Sequence, residues 1–156
     1  MIASKELVDL LDREHVDYEV LPHMHTETAR AEAHALGISP DEVAKTVVMK
    51  NGHGFVRAVV PAWAHVDAEK VRTVLKLEHD VRLATEAELT AAYPAFELGA
   101  VPPLGGPGGD RTVVDRCLVE RDTVVVEAGS HDASIRIKTR DLLLHSLAAI
   151  GDICED

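Results

Sequence analysis

Two runs of β-favouring residues, Thr46–Met49 and Phe55–Val60, flank the tetrapeptide Asn51-Gly52-His53-Gly54. Asn and Gly accept the positive φ of a tight hairpin turn, so the two runs are expected to pair antiparallel. Further strand-like runs come late, at Thr112–Val114, Thr123–Val126 and Ile135–Lys138. An early hairpin with strands clustered towards the end favours a mixed α+β sheet over a doubly wound parallel one, so a dinucleotide-binding fold is not expected.

The helices announce themselves by caps and periodicity. Ser4 is placed to cap a first helix with Leu7, Leu10 and Leu11 on one face, and Tyr18–Leu21 reads as a strand. Thr26 opens an alanine-rich helix that Gly37 can close in the left-handed conformation. Ser39-Pro40-Asp41-Glu42 combines a capping box with proline at the first helical position, predicting a short helical turn with Lys45 at its end. Asp67 can cap a third helix with Val71, Val74 and Leu75 inward. A strand at Val81–Leu83 leads to a second capping box, Thr85–Glu88. Thr139 can cap a closing helix built on Leu143, Leu144 and Leu147.

With 156 residues and 46% hydrophobic content, the chain suits one domain spanning 1–156. No apolar run reaches the roughly 18 residues of a membrane span, and Lys5, Glu6 and Asp9 interrupt the only apolar stretch near the start, so a cytoplasmic address and no membrane partner are expected. Cys117 and Cys154 form no C-x-x-C and read as ordinary thiols. A net charge of −11 argues against a general nucleic-acid binder, DNA included. It leaves room for a local contact with one RNA end, because screening confines exposed charges to about 8 Å at physiological salt.

The stretch Leu98–Asp110, LGAVPPLGGPGGD, holds five glycines and three prolines. It lacks the Gly-Lys-Ser/Thr of a phosphate-binding loop and the G-x-G-x-x-G of a dinucleotide site. Two readings compete: a plain surface loop, or an oxyanion hole. In the second, prolines within Gly99–Gly105 stiffen the backbone, so the remaining amides are held towards a cavity and stabilise developing negative charge.

The ordered set of local matches resembles the YbaK/ProX-type aminoacyl-tRNA deacylases, relatives of the editing domain inserted in bacterial prolyl-tRNA synthetases. It comprises His23 before Thr26 and the alanine-rich helix, Val43-Ala44-Lys45-Thr46-Val47-Val48, Ala58-Val59-Val60-Pro61 with Val66-Asp67, and Arg82-Leu83-Ala84. Gly99-Ala100-Val101-Pro102-Pro103-Leu104-Gly105, Val113-Val114-Asp115 and Ala128-Gly129-Ser130-His131 complete it. The resemblance implies a mixed, mostly antiparallel, curved sheet flanked by helices. It implies a freestanding enzyme that hydrolyses the ester of a tRNA mischarged with a small amino acid, without metal or other cofactor. Its partner would be the 3′ acceptor end of aminoacyl-tRNA, with a synthetase as a second candidate. Lys45 and the amides of Gly99, Ala100 and Val101 are then the catalytic candidates. Thr46, Pro102, Pro103, Gly105, His23, Ser130 and His131 are the substrate-binding candidates. Two departures from the family pattern are Gly106-Pro107-Gly108-Gly109-Asp110-Arg111 after Gly105, and Arg116-Cys117 after Asp115. They keep open an alternative: a catalytically silent module that binds an amino acid, nucleotide or protein.

Single residues carry plainer readings beside these. Lys45 at a helix end is favoured by the helix dipole alone. Ser130, His131 and Asp132 are adjacent and cannot converge as a catalytic triad. His23 and His25 share a face if extended, but no third metal ligand is evident nearby. Asp115 is expected to pair with Arg116, and Trp63 to pack against the third helix.

Overall fold

The computed structural model describes residues 3–106 and 110–156. Pro107, Gly108 and Gly109, singled out in the sequence as the permissive half of the glycine-proline stretch, lie outside the described residues. The elements are α1 (Lys5–Arg13), β1 (Tyr18–Pro22), α2 (Ala29–Leu36), a 3-10 turn (Pro40–Glu42), β2 (Val43–Asn51), β3 (Gly54–Pro61) and α3 (Ala68–Leu75). There follow β4 (Val81–Leu83), α4 (Glu86–Ala92), β5 (Arg111–Asp115), α5 (Arg116–Val119), β6 (Thr123–Glu127), β7 (Ala133–Lys138), α6 (Thr139–Ser146) and β8 (Ala149–Gly151).

The eight strands form one sheet in the order β1-β7-β6-β2-β3-β5-β8, with β4 also on β2. The hairpin is present: β2 and β3 pair antiparallel from Ala44–Pro61 to Asn51–Gly54, and Gly52 turns with φ +60°. β1–β7, β6–β7 and β2–β4 are also antiparallel, whereas β2–β6, β3–β5 and β5–β8 are parallel. The sheet is therefore mixed.

Strand alternation gives the sheet two faces. On one, Leu7 and Leu11 of α1 and Leu142 of α6 pack with Ala44, Val59, Val114, Val124, Val126, Ile135 and Ile137. On the other, Val71 and Leu75 of α3 pack with Met49, Ala58, Val60 and Val113. Ala29 and Ala33 of α2 cover Val43 and Val125 on that same second face.

Local chemistry fixed most boundaries. Asp67 accepts from the amides of Glu69 and Lys70, both capping boxes close, and Gly37 ends α2 at φ +69°. Four expectations need correction. Thr28, rather than Thr26, caps α2, accepting from the amide of Ala31. Lys45 is the third residue of a strand and not the end of a helix, because the turn at Pro40–Glu42 is too short to propagate and Val43 already pairs with Val125. The closing helix buries Leu142 and leaves Leu144 64% and Leu147 86% exposed. Three consecutive leucines lie about 100° apart around a helix, so the β7–α6 junction selects the inward one. Finally, neither Ser4 nor Thr139 caps by its side chain: Ser4 occupies the N-cap of α1 without a side-chain cap bond, and Thr139 is the first residue of α6, its hydroxyl buried without a partner among the described residues.

Candidate functional site

The glycine-proline stretch is no plain surface loop. Gly99 is exposed, but Ala100, Val101 and Leu104 are buried, with Val101 packed against Val48, Tyr93 and Phe96, and Leu104 in the cluster under α1. Its anchor is Arg57 of β3. This guanidinium donates from Nη1 to the Pro102 carbonyl at 2.9 Å and from Nη2 to the Gly105 carbonyl at 2.5 Å. It also stacks over Tyr93, whose hydroxyl bonds Asp110, and Asp110 lies 3.8 Å from Nη2. A buried arginine needs such partners, because an unpaired one would carry a desolvation cost of several kcal/mol. The positive φ of Gly99 (+80°) and Gly105 (+84°) lets the chain bend at both ends of the stiff Pro102-Pro103 unit.

The amides of this bend do not behave alike. Ala100 donates to the Glu97 carbonyl, and its own carbonyl accepts from Gly129. The amides of Gly99 and Val101 have no hydrogen-bond acceptor among the described residues. His131 Nε2 lies 2.6 Å from the Leu98 carbonyl, which can only accept, so this nitrogen carries the proton. That bond fixes the Leu98–Gly99 peptide plane, and in a trans peptide the Gly99 N–H then points opposite to the carbonyl that His131 holds. His131 is therefore committed to the backbone, and its effect on a ligand would pass through Gly99.

Gly99, Ser130, His131 and His23 line one tight crevice at the end of β6, together with Thr26, Glu27, Glu32 and Glu127. Ser130 Oγ accepts from the amide of Asp132. His23 bonds the Met24 carbonyl through Nδ1 at 2.7 Å and Ser134 Oγ through Nε2 at 2.9 Å, while Ser134 Oγ also bonds Glu32. Burial pushes the Glu32 carboxyl up to about 7 against the opposing Ser134 hydrogen bond. It pushes Glu127 well above the usual carboxylate range too, helped by the like charge of Glu32. Two buried acids side by side resist ionising together.

Lys45 lines a different, open cleft of about 650 Å³ with Val47, Met49, His65, Val66, Arg82, Leu83 and Glu155. Its ammonium is half-buried, and burial draws its pKa down; the nearby Arg30 acts in the same direction. The two cavities are neighbours by topology. Val43–Val125 and Ala44–Val126 are in register on parallel strands, so Lys45 and Glu127 stand at the next step of each, on the same face of the sheet.

The remaining candidates go elsewhere. Thr46 turns to the opposite face from Lys45, its hydroxyl buried without a partner among the described residues. Pro103 and Gly105 line a third cavity with Arg57, Asp110 and His145, and the Pro102 carbonyl is taken by Arg57. Asp115 does not pair with Arg116. It is buried, caps α5 through the Cys117 amide, and accepts from the Ile153 amide at 3.0 Å. His25 bonds Glu27 and Asp132, and among the described residues no three His, Cys, Asp or Glu side chains are grouped to hold a metal. Trp63 is 46% exposed in the turn after β3, and Cys117 and Cys154 are free thiols.

Arg57, Glu32, Glu127 and Ser134 escaped the sequence reading, although each left a trace. Arg57 interrupts the apolar run Phe55–Val60, Glu32 sits three residues after Ala29 on the apolar face of α2, and Glu127 follows Val125 in the alternation of β6.

The profile of the aminoacyl-tRNA editing domain matches residues 23–144. No curated protein matches the chain. Among solved structures, a hypothetical protein is similar at TM-score 0.88 and 24% identity, covering 97% of this chain and 100% of that one. A candidate trans-editing enzyme for prolyl-tRNA synthetase is similar at TM-score 0.85 and 24% identity, covering 98% and 97%. A candidate signal transduction protein from Marinobacter aquaeolei VT8 is similar at TM-score 0.72 and 20% identity, covering 96% of this chain and 30% of that one. At these identities the structural likenesses show the fold. No helix among the described residues is long and apolar enough to cross a membrane.

Proposed function

The chain belongs to the aminoacyl-tRNA editing domain family, and from that premise we propose that it is a trans-acting deacylase. It would hydrolyse the ester joining a small, wrongly attached amino acid to the 3′ end of a tRNA. The observation that carries this reading is the amide of the exposed Gly99, which lacks an acceptor among the described residues and is oriented by His131 through the Leu98 carbonyl. An amide held in this way costs no reorganisation when negative charge develops on an ester carbonyl.

In this mechanism water adds to the acyl carbon while the Gly99 N–H stabilises the resulting oxyanion. The bond from the acyl carbon to the ribose oxygen then breaks, and the ribose oxygen takes up the proton released by the attacking water, leaving the free amino acid and a hydroxyl-ended tRNA. The neighbouring ribose hydroxyl of the substrate assists the attack. Lys45 lines the open cleft on the same side and supplies positive charge for the terminal phosphate, whereas Arg82 in that cleft is already paired bidentately with Glu88. A half-buried ammonium suits that task, since water screens it less than a surface lysine. The reaction needs no metal in this scheme.

The test is release of labelled amino acid from a panel of mischarged tRNAs by the purified chain. Turnover with at least one small amino acid supports the reading. Retention of aminoacyl-tRNA without release would replace it with a silent binding module.

A further inference from the structure

The pocket beneath Gly99 contains one largely buried acid that has no partner among the described residues. Glu127 is 8% exposed and lines this pocket, yet its carboxylate has no hydrogen bond or ion pair among the described residues. Its neighbours are already committed. Opposite it in the β6–β7 ladder stands Ser134, whose hydroxyl lies between Glu32 and His23. His23 is closed off at its other nitrogen by the Met24 carbonyl, and His131 by the Leu98 carbonyl. The network Glu32–Ser134–His23 is thus complete in itself and leaves Glu127 alone, facing the pocket. Buried carboxylates are ordinarily paired or hydrogen-bonded, and one that is neither, in a cleft, marks a place where something else supplies the partner.

The chemistry of that partner follows from what the pocket offers. It presents a carboxyl group beside a second acid, Glu32, and a compact cation that donates several hydrogen bonds would favour its ionised form. Gly99 lines the same pocket, and its amide, on the side away from His131, has no acceptor among the described residues. An aminoacyl ester carries both features one carbon apart: an α-ammonium and an acyl carbonyl. The crevice is tight, which restricts it to the smallest groups.

We propose that Glu127 is the specificity determinant that receives the α-ammonium group of the aminoacyl substrate, beside the hydrogen-bonded Glu32. This rests on the deacylase reading and extends it to the part of the substrate that is recognised. Glu127 thereby selects α-amino esters over neutral esters of the same size, and it places the carbonyl relative to the Gly99 amide.

The decisive comparison is between tRNA carrying an alanyl ester and the same tRNA carrying a lactyl ester, in which a hydroxyl replaces the ammonium. Wild-type protein should cleave the alanyl ester faster by about tenfold or more, the size expected for a charge-assisted hydrogen bond. Glu127→Gln should slow the alanyl ester alone, so that the ratio falls towards one. Glu127→Asp, which withdraws the charge by one methylene, should fall between the two and serves if the amide variant does not fold. Equal slowing of both esters by Glu127→Gln would overturn the proposal and assign Glu127 a role on the protein itself, such as orienting Lys45. Unchanged rates on both would overturn it as well. If wild-type protein cleaves neither ester, the deacylase reading fails separately, and the ammonium site is judged by titration with L-alaninamide against L-lactamide. The Ser134 and His131 amide signals should then move only with L-alaninamide and only with Glu127 present, and their failure to move would refute the site.

Discussion

Arg57 Nη1 donates to the carbonyl oxygen of Pro102 at 2.9 Å, joining the middle of a strand to a bend 45 residues further along the chain. The guanidinium is 3% exposed and bridges to the Gly105 carbonyl with its second nitrogen, so one side chain closes both halves of the proline-stiffened unit. Burial lowers its pKa while Asp110 opposes that shift, and the group stays charged because an arginine starts so high.

Replacing Arg57 should therefore uncouple the loop from the sheet. Arg57→Ala leaves two carbonyls and Asp110 without their partner and should cost about 2–4 kcal/mol by urea unfolding. Arg57→Lys keeps the charge but not the planar fork that spans two acceptors, and should recover less than half of the loss. Equal stability of the lysine variant and the parent protein would show that charge alone holds the bend.

The buried acids make stability depend on pH in a defined direction. Glu32 titrates at about 7 in the folded chain against an ordinary value of 4.5. Between these values the folded state keeps a proton that the unfolded state has lost, so stability falls as pH rises from about 4.5 to 7 and levels off above. The difference amounts to something on the order of 3 kcal/mol if Glu32 acted alone. Glu32→Gln should flatten this slope, and urea midpoints measured at pH 5 and pH 8 will show it.

Gly99 and Lys45 separate backbone chemistry from charge. Gly99→Ala places a Cβ 3.4 Å from His131 Cε1 in a backbone with φ +80°, which should cost about 1–2 kcal/mol of stability and disturb the free amide. Loss of one such donor lowers turnover by about a hundredfold. Lys45→Ala removes a half-buried charge from an open cleft and should leave the thermal midpoint nearly unchanged while reducing deacylation about tenfold. Full activity in both variants would exclude the proposed mechanism.

Salt dependence should be shallow. With Lys45 as the cation offered to phosphate in the open cleft, Arg82 being held by Glu88, and a chain of net charge −11, only one or two phosphates are engaged. Each single-strand contact contributes a log-log slope of about −0.7, so KM for the tRNA should rise gently between low and physiological salt. A slope several times steeper would point to duplex binding along another surface.

The hairpin, the capping boxes and the left-handed Gly37 were legible in the sequence because each depends on contacts within a few residues. Asn51-Gly52, Ser39–Glu42, Thr85–Glu88 and Asp67 carry their own geometry wherever the chain takes them. β8, three residues long, was not legible, since it exists only where β5 offers an edge to pair with. The inward choice of Leu142 among three leucines was likewise decided by how α6 leaves β7.

The candidate site divides in the same way. Family likeness pointed to Lys45, Gly99 and His131 as single positions, but their surroundings are non-local. Strand parity sends Lys45 and Thr46 to opposite faces, and Arg57 draws Pro103 and Gly105 away from Gly99. Glu32 meets Ser134 across 102 residues of sequence, and Glu127 reaches the same pocket only because β6 lies beside β7. Local spacing encodes where a chain turns and caps. Which buried charges meet, and so which titrate together, is set by sheet register and burial, quantities that exist only once distant segments have packed.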